Sequence, residues 1–181
     1  MIRSPEMNRY WESFLHACKR LPSYTERVWF APLVAILAFL DFFIFIVPLD
    51  PIVVGAFLAA PKKRFRVAWM TALGSTLGAV CFAILIRNQG MDFLNTFTPG
   101  MLDNDWAQTL GHWIRDYGFW ALAGSAAVPI YQHPAVALAA LSPLPMIWIF
   151  WGMMLGRAIK FSAYALLTQH ARGGMERWFR E

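Results

Sequence analysis

Charge is what this chain has least of. Only 15% of its 181 residues are Asp, Glu, Lys or Arg, against about a quarter in ordinary soluble domains, while 58% are hydrophobic. That composition cannot furnish a well-solvated surface, and it points to an integral membrane protein. Cysteine is nearly as scarce. Cys18 sits in an N-terminal helical segment and Cys81 in an apolar stretch, which excludes a disulfide framework. His16, His112, His133 and His170 are scattered, with no HExxH and no Cys/His metal spacing. There is no phosphate-binding Gly-rich loop and no GxSxG, so neither an enzyme nor a cofactor or metal is expected. A cleavable signal is not expected either, because the first apolar run begins near Val28, too far in and too long. The net charge of +5 does not indicate nucleic acid, since the basic residues flank apolar segments, where they act as topology signals.

What is present is four apolar blocks, 28–60, 67–86, 118–142 and 145–168. The second and fourth are uninterrupted and long enough to cross ~30 Å of hydrocarbon. The first and third are cut by proline-bracketed turns, at Pro48 and Pro51 and at Pro129 and Pro134. After the first cut only a short apolar arm remains, and ten helical residues rise about 15 Å, half a bilayer. That arm cannot complete a crossing.

The flanking charges set the sides. Residues 1–27 hold five basic and three acidic residues, and 61–66 hold four basic and none acidic, whereas 87–117 hold two basic and four acidic. By the positive-inside rule both termini and 61–66 are cytoplasmic and 87–117 is external. Blocks one and three must then enter and leave on one side as re-entrant hairpins. The organisation expected is a cytoplasmic amphipathic segment (1–27), a membrane domain (28–168) and a cytoplasmic tail (169–181). Within the membrane domain come a re-entrant hairpin at 28–60, a transmembrane helix at 67–86 and an external interfacial segment at 87–117. A second re-entrant hairpin at 118–142 and a transmembrane helix at 145–168 complete it. Residues 6–21 and 104–117 both read as amphipathic helices, the latter with Trp106, Leu110, Trp113, Ile114 and Tyr117 on one face.

A weak internal repeat agrees with this. Val47-Pro48…Pro51 is echoed by Val128-Pro129…Pro134, and Gly74 to Gly78 by Gly152 to Gly156. One hairpin plus one crossing per half makes the halves inverted, a transporter construction. The fold class is therefore all-α: an inverted repeat of re-entrant hairpin plus transmembrane helix, with flanking interfacial helices. The four glycines read as close-packing positions.

Inside the apolar blocks stand four full charges: Asp41, Asp50, Arg157 and Lys160. Each costs ~2.5–3.5 kcal/mol at a helix centre, so none should face lipid unpaired. The acids lie in the first half and the bases in the second, which suggests neutralisation across the repeat interface. Asp50-Pro51 also reads as a helix start, Asp capping and Pro at the first position. His133, beside Pro134, is either a titrating group or an ordinary hydrogen-bonded histidine. Helix starts at Pro51 and Pro134 aim their positive dipole ends inward, and with Arg157 and Lys160 they suit an anion such as a phosphate headgroup.

These stretches carry a resemblance. "FLDFFIFIVPLDPIVVGAFLAAP", "WMTALGSTLGAVCFAILIR", "YGFWALAGSAAVPIYQHP" and "GMMLGRAIKFSAYALL" resemble the DedA/VTT superfamily of membrane proteins, nearest its YqaA-like branch. Asp41 and Asp50 match its first-hairpin carboxylates, and Gly156, Arg157 and Lys160 its Gly-plus-basic late span. The second hairpin departs from the pattern, with Gln132 and His133 where many members carry arginines, and Asp stands where many have Glu. The resemblance implies opposed hairpins, a bacterial inner-membrane location and translocation of a phospholipid or polyprenyl phosphate. Asp41, Asp50 and His133 would then serve transport or proton coupling, and Arg157 and Lys160 would bind the headgroup. Membrane lipids are the expected partners, protons the candidate coupling ion, and a homo-oligomer is left open. The rival readings are a non-catalytic membrane scaffold locked by buried ion pairs and an ion-coupled transporter of a small soluble solute.

Overall fold

The computed structural model describes residues 27–44, 49–97, 99–103, 105–129 and 132–178, the side chains only as far as residue 170 and without that of residue 97. The N-terminal helix expected over 6–21, Pro48 and the end of the tail lie outside the described residues. Among the described residues every regular element is helical: α1 (Phe30–Leu40), α2 (Leu49–Ala59), α3 (Arg64–Phe97), α4 (Asp105–Tyr117), α5 (Phe119–Ala127), α6 (His133–Leu141) and α7 (Met146–Trp178).

Two long helices form the centre. Among the described residues α3, over Arg64–Thr96, is the one helix long and apolar enough to cross a bilayer. The other, α7, is 33 residues long but carries Arg157 and Lys160 midway along it. The 11-residue helices α1 and α2 and the 9-residue helices α5 and α6 rise about 14–17 Å each, well short of a bilayer's thickness.

Packing follows the small residues. Helix α1 lies along α3, where a Cβ on Gly74 would run into the Ala35 carbonyl and one on Gly78 would come within 2.5 Å of the Phe39 carbonyl oxygen. Helix α5 lies along α7 in the same manner. Gly152 faces Phe119, and a Cβ on Gly156 would strike the Ala123 carbonyl and the Ala126 methyl. The remaining short helices contact both long ones: α2 and α6 each touch α3 and α7.

Large apolar side chains coat the outside. Trp69, Leu73, Leu77 and Ile84 on α3 and Ile147, Trp151, Leu155, Ile159 and Leu166 on α7 are all exposed. The buried set includes Thr71, Ser75, Thr76, His133, Arg157 and Lys160. Two buried apolar clusters occupy the two ends. One, reaching Met153 on α7, gathers Phe42, Phe82, Leu110, Leu122 and Val136; the other, starting at Phe161, gathers Val34, Val53, Phe57 and Ala72.

Several boundaries differ from those read in the sequence. The first break does not wait for the prolines: α1 ends at Leu40, making Asp41 its C-cap, and α2 begins at Leu49 with Asp50 in its first turn. Helix α3 continues past residue 86 to Phe97 and bends at Gly90 (φ 69°, ψ −153°), a conformation open to glycine and strained for other residues. Helix α7 likewise runs beyond 168. In α4 the proposed single face is divided: Leu110 and Ile114 are buried together with Ala107, while Trp106, Trp113 and Tyr117 stay exposed. Helix α4 packs against both α5 and α6, and Leu110 and Ile114 join the buried cluster to which both contribute.

Arg87 is not a simple flank marker. Its guanidinium donates to the carbonyls of Ala140 (3.1 Å), Ser142 (3.4 Å) and Leu144. It thereby satisfies the backbone where α6 ends, one of the places a helix leaves carbonyls without partners. Ser142 assists by returning its hydroxyl to the Ala139 carbonyl at 2.8 Å.

Candidate functional site

Arg157 and Lys160 stand on α7 between Met153 and Phe161, on the seam where one apolar cluster gives way to the other. Three residues apart on a helix, they share a side but aim at different neighbours. Two separate polar stations result.

Lys160 turns to the first broken segment. Its ammonium lies 2.9 Å from the Asp50 carboxylate, and Tyr164, one turn further along α7, donates its hydroxyl to the same carboxylate at 3.2 Å. The ammonium also lies 5.8 Å and 5.7 Å from the Phe161 and Tyr164 ring centres. Lys160 is buried and Asp50 is half-buried, so the first turn of α2 is clamped to α7 by a pair with limited access to water. Pro51 follows Asp50 in that first turn, where a missing N–H loses nothing.

Arg157 turns to the second broken segment. Among the described residues it is the largest fully buried side chain, at 2% exposure. Its Nε and Nη2 both donate to Gln132 Oε1, at 3.2 and 3.0 Å. Gln132 immediately precedes α6, and its Nε2 donates to the carbonyl of Ala126 near the end of α5, at 3.2 Å. One amide thus ties α5, α6 and α7 together. The Phe42 ring covers a face of the guanidinium, with the Arg157 Cζ 4.7 Å from the ring centre. Nη1 is buried and has no hydrogen-bond acceptor among the described residues. A buried donor left open on a cation is costly, and such a group calls for an explanation.

His133 begins α6 and is buried against aromatic rings, 4.6 Å from Phe42 and 5.9 Å from Phe82 between ring centres. Its imidazole faces the backbone of Asp41 and Phe42 at the end of α1. The two broken segments therefore meet through Phe42 and His133. Asp41 is within electrostatic range of Arg157 without forming an ion pair. Pro134 is buried in the first turn of α6, and Pro129 is exposed in the bend after α5.

Of the four charges, then, Asp50 and Lys160 are brought into contact, while Arg157 is held by a neutral amide in place of either aspartate. Gln132, Phe42, Tyr164 and Arg87 were not among the candidate site residues read from the sequence. A glutamine carries no charge to flag it, and only its position beside His133 and Pro134 at the second break singled it out. Among the described residues no group of three His, Cys, Asp or Glu side chains gathers as a metal site would require. A separate groove of about 670 Å³ opens between α4, the carboxyl end of α6 and the turn at 142–145, at the opposite end of α6 from Gln132. No family model, curated protein or solved structure matches this chain.

Proposed function

We propose that this chain is an integral membrane protein of DedA/VTT-like construction that carries a phosphate-bearing lipid headgroup across the bilayer. The membrane assignment is supported by the inverted distribution of side chains along the long helices: Trp69, Leu73, Trp151 and Leu155 outside, Thr71, Thr76, Arg157 and Lys160 inside. In water that arrangement would expose an apolar area far beyond what monomeric soluble proteins tolerate. The inverted-repeat reading is supported by the recurrence of one packing device, a short helix seated on two glycines of a long one, in each half. In this reading α1–α2 and α5–α6 are the two re-entrant pairs, α3 and α7 are the crossings, and both termini are cytoplasmic in a bacterial inner membrane.

The observation that carries the headgroup reading is the open Nη1 of Arg157. A buried guanidinium beside the start of α6, with one face covered by the Phe42 ring and a donor unspent, suits an anion. The Lys160–Asp50 pair favours the scaffold reading for that half alone, because it is already closed. The decisive experiment is reconstitution of the purified protein into liposomes containing headgroup-labelled phospholipid. The intact protein should accelerate exchange between leaflets, and Arg157→Ala should abolish the acceleration while remaining folded. Equal rates with and without the protein would sink the proposal.

A further inference from the structure

Arginine grips phosphate most strongly with two parallel N–H donors on one edge, the Nε side being the usual fork. In this molecule that edge is already filled, since Gln132 Oε1 accepts from both Nε and Nη2. The amide cannot rotate freely out of the way, because its Nε2 is committed to the Ala126 carbonyl. Phe42 covers a face of the guanidinium. What remains for a ligand is the end of the group, the two N–H of Nη1 and the second N–H of Nη2, which offers fewer donors than the whole guanidinium. The second cation of the helix adds nothing, because Lys160 is paired with Asp50. Asp41, within electrostatic range of Arg157, opposes any large accumulation of negative charge.

We infer that Gln132 sets the selectivity of this site, restricting Arg157 to an end-on contact that suits a singly charged phosphodiester headgroup and disfavours a doubly charged phosphate monoester. A neutral acceptor on the fork edge is essential to this. It orients the guanidinium while leaving its charge available, which a carboxylate in the same place would not. Gln132 is thus a positioning residue acting through Arg157. The inference rests on the headgroup reading above and deepens it by naming the ligand class.

The test uses the full chain in liposomes with acyl-labelled phosphatidylglycerol, a phosphodiester, or acyl-labelled phosphatidic acid, a monoester, at a pH where the monoester is doubly ionised. Intact protein should move the diester faster. Gln132→Ala opens the fork edge and should shift the diester-to-monoester rate ratio toward the monoester by roughly tenfold, the scale of one charge-assisted hydrogen bond. Gln132→Glu, nearly the same shape, still accepts from Arg157 but loses the bond to the Ala126 carbonyl and cancels the cation's charge, and should slow both lipids by roughly tenfold or more. A merely structural glutamine would change total rate without changing the ratio. An unchanged ratio in Gln132→Ala, or undiminished diester movement in a folded Gln132→Glu, overturns the inference and leaves the headgroup reading standing. Intact protein that moves neither lipid overturns both.

Discussion

The glycines of α5 and α7 allow the packing to be tested without reference to function. Gly124, Gly152 and Gly156 are all helical, and changing any of them to alanine raises helix propensity by about 0.5–1 kcal/mol. Their surroundings differ in a graded way. A Cβ on Gly124 meets nothing within 4 Å, so Gly124→Ala should keep the whole gain. On Gly152 the nearest atom is the Phe119 carbonyl oxygen at 3.3 Å, a tight contact that a small shift relieves, and the change should be close to neutral. On Gly156 the new carbon would overlap the Ala123 carbonyl and come within 2.6 Å of the Ala126 Cβ. Backbone atoms of a packed helix cannot step aside as a flexible side chain would. The usual ~1–3 kcal/mol of overpacking should therefore outweigh the propensity gain and leave a net loss of about 1–2 kcal/mol. At this chain length 1 kcal/mol shifts Tm by about 2–4 °C. Thermal unfolding of the detergent-solubilised protein should then order the variants Gly124→Ala above Gly152→Ala above Gly156→Ala, with about 3–12 °C between the extremes. If Gly156→Ala melted with Gly124→Ala, helix α5 could not be resting on α7 at that point.

Four further outcomes follow. Arg157→Lys should restore only part of the lipid movement lost in Arg157→Ala, because lysine keeps the charge but not the planar donor set; equal rates for Lys and Arg in the liposome assay would refute this. Lys160→Met should destabilise by about 1–3 kcal/mol, below the ~3–5 of a fully buried pair because Asp50 retains some exposure. Adding Asp50→Leu should recover much of that loss in thermal melts, and a double variant worse than the single would contradict the pairing. Gly90→Ala should cost about 1–3 kcal/mol through backbone strain although its Cβ has open space around it, and an unchanged Tm would show that α3 does not bend there. Cysteines placed at Lys63 and Asp103 should react with impermeant reagents from opposite sides of the membrane; labelling from one side would overturn the re-entrant topology.

Much of this architecture was legible in the residues. Two breaks, two long helices and paired glycine notches follow from local rules that need no knowledge of the partner, although the first break starts at Asp41, ahead of the prolines. The four mid-chain charges were equally visible, since a charge among phenylalanines declares itself. What could not be read was who faces whom. Arg157 and Lys160 stand three residues apart, and a modest rotation of α7 decides whether each meets an aspartate or an amide. The end of α1 at Leu40 was hidden for a related reason. "FLDFFIF" has no glycine or proline to stop a helix, and α1 ends where Phe42 inserts into the cluster beside Phe82 and His133. Arg87 misled in the opposite direction. Its charge looked like the end of a span, whereas its donors cap the carbonyls left by a neighbouring helix.

The glycine notch at 156 also works as a ruler. It lies next to Arg157, and the same contact that admits Ala123 and Ala126 to the surface of α7 fixes how far along the helix α5 can slide. Where α5 stops determines the height of the Ala126 carbonyl, which holds Gln132, which in turn holds Arg157. The vertical position of the guanidinium is therefore measured off from a place with no side chain at all. Displacing α5 by one residue would move that carbonyl by about 1.5 Å, half the length of a hydrogen bond. A hydrogen atom at position 156, in place of a methyl group, keeps the charge in register with the helix that holds it.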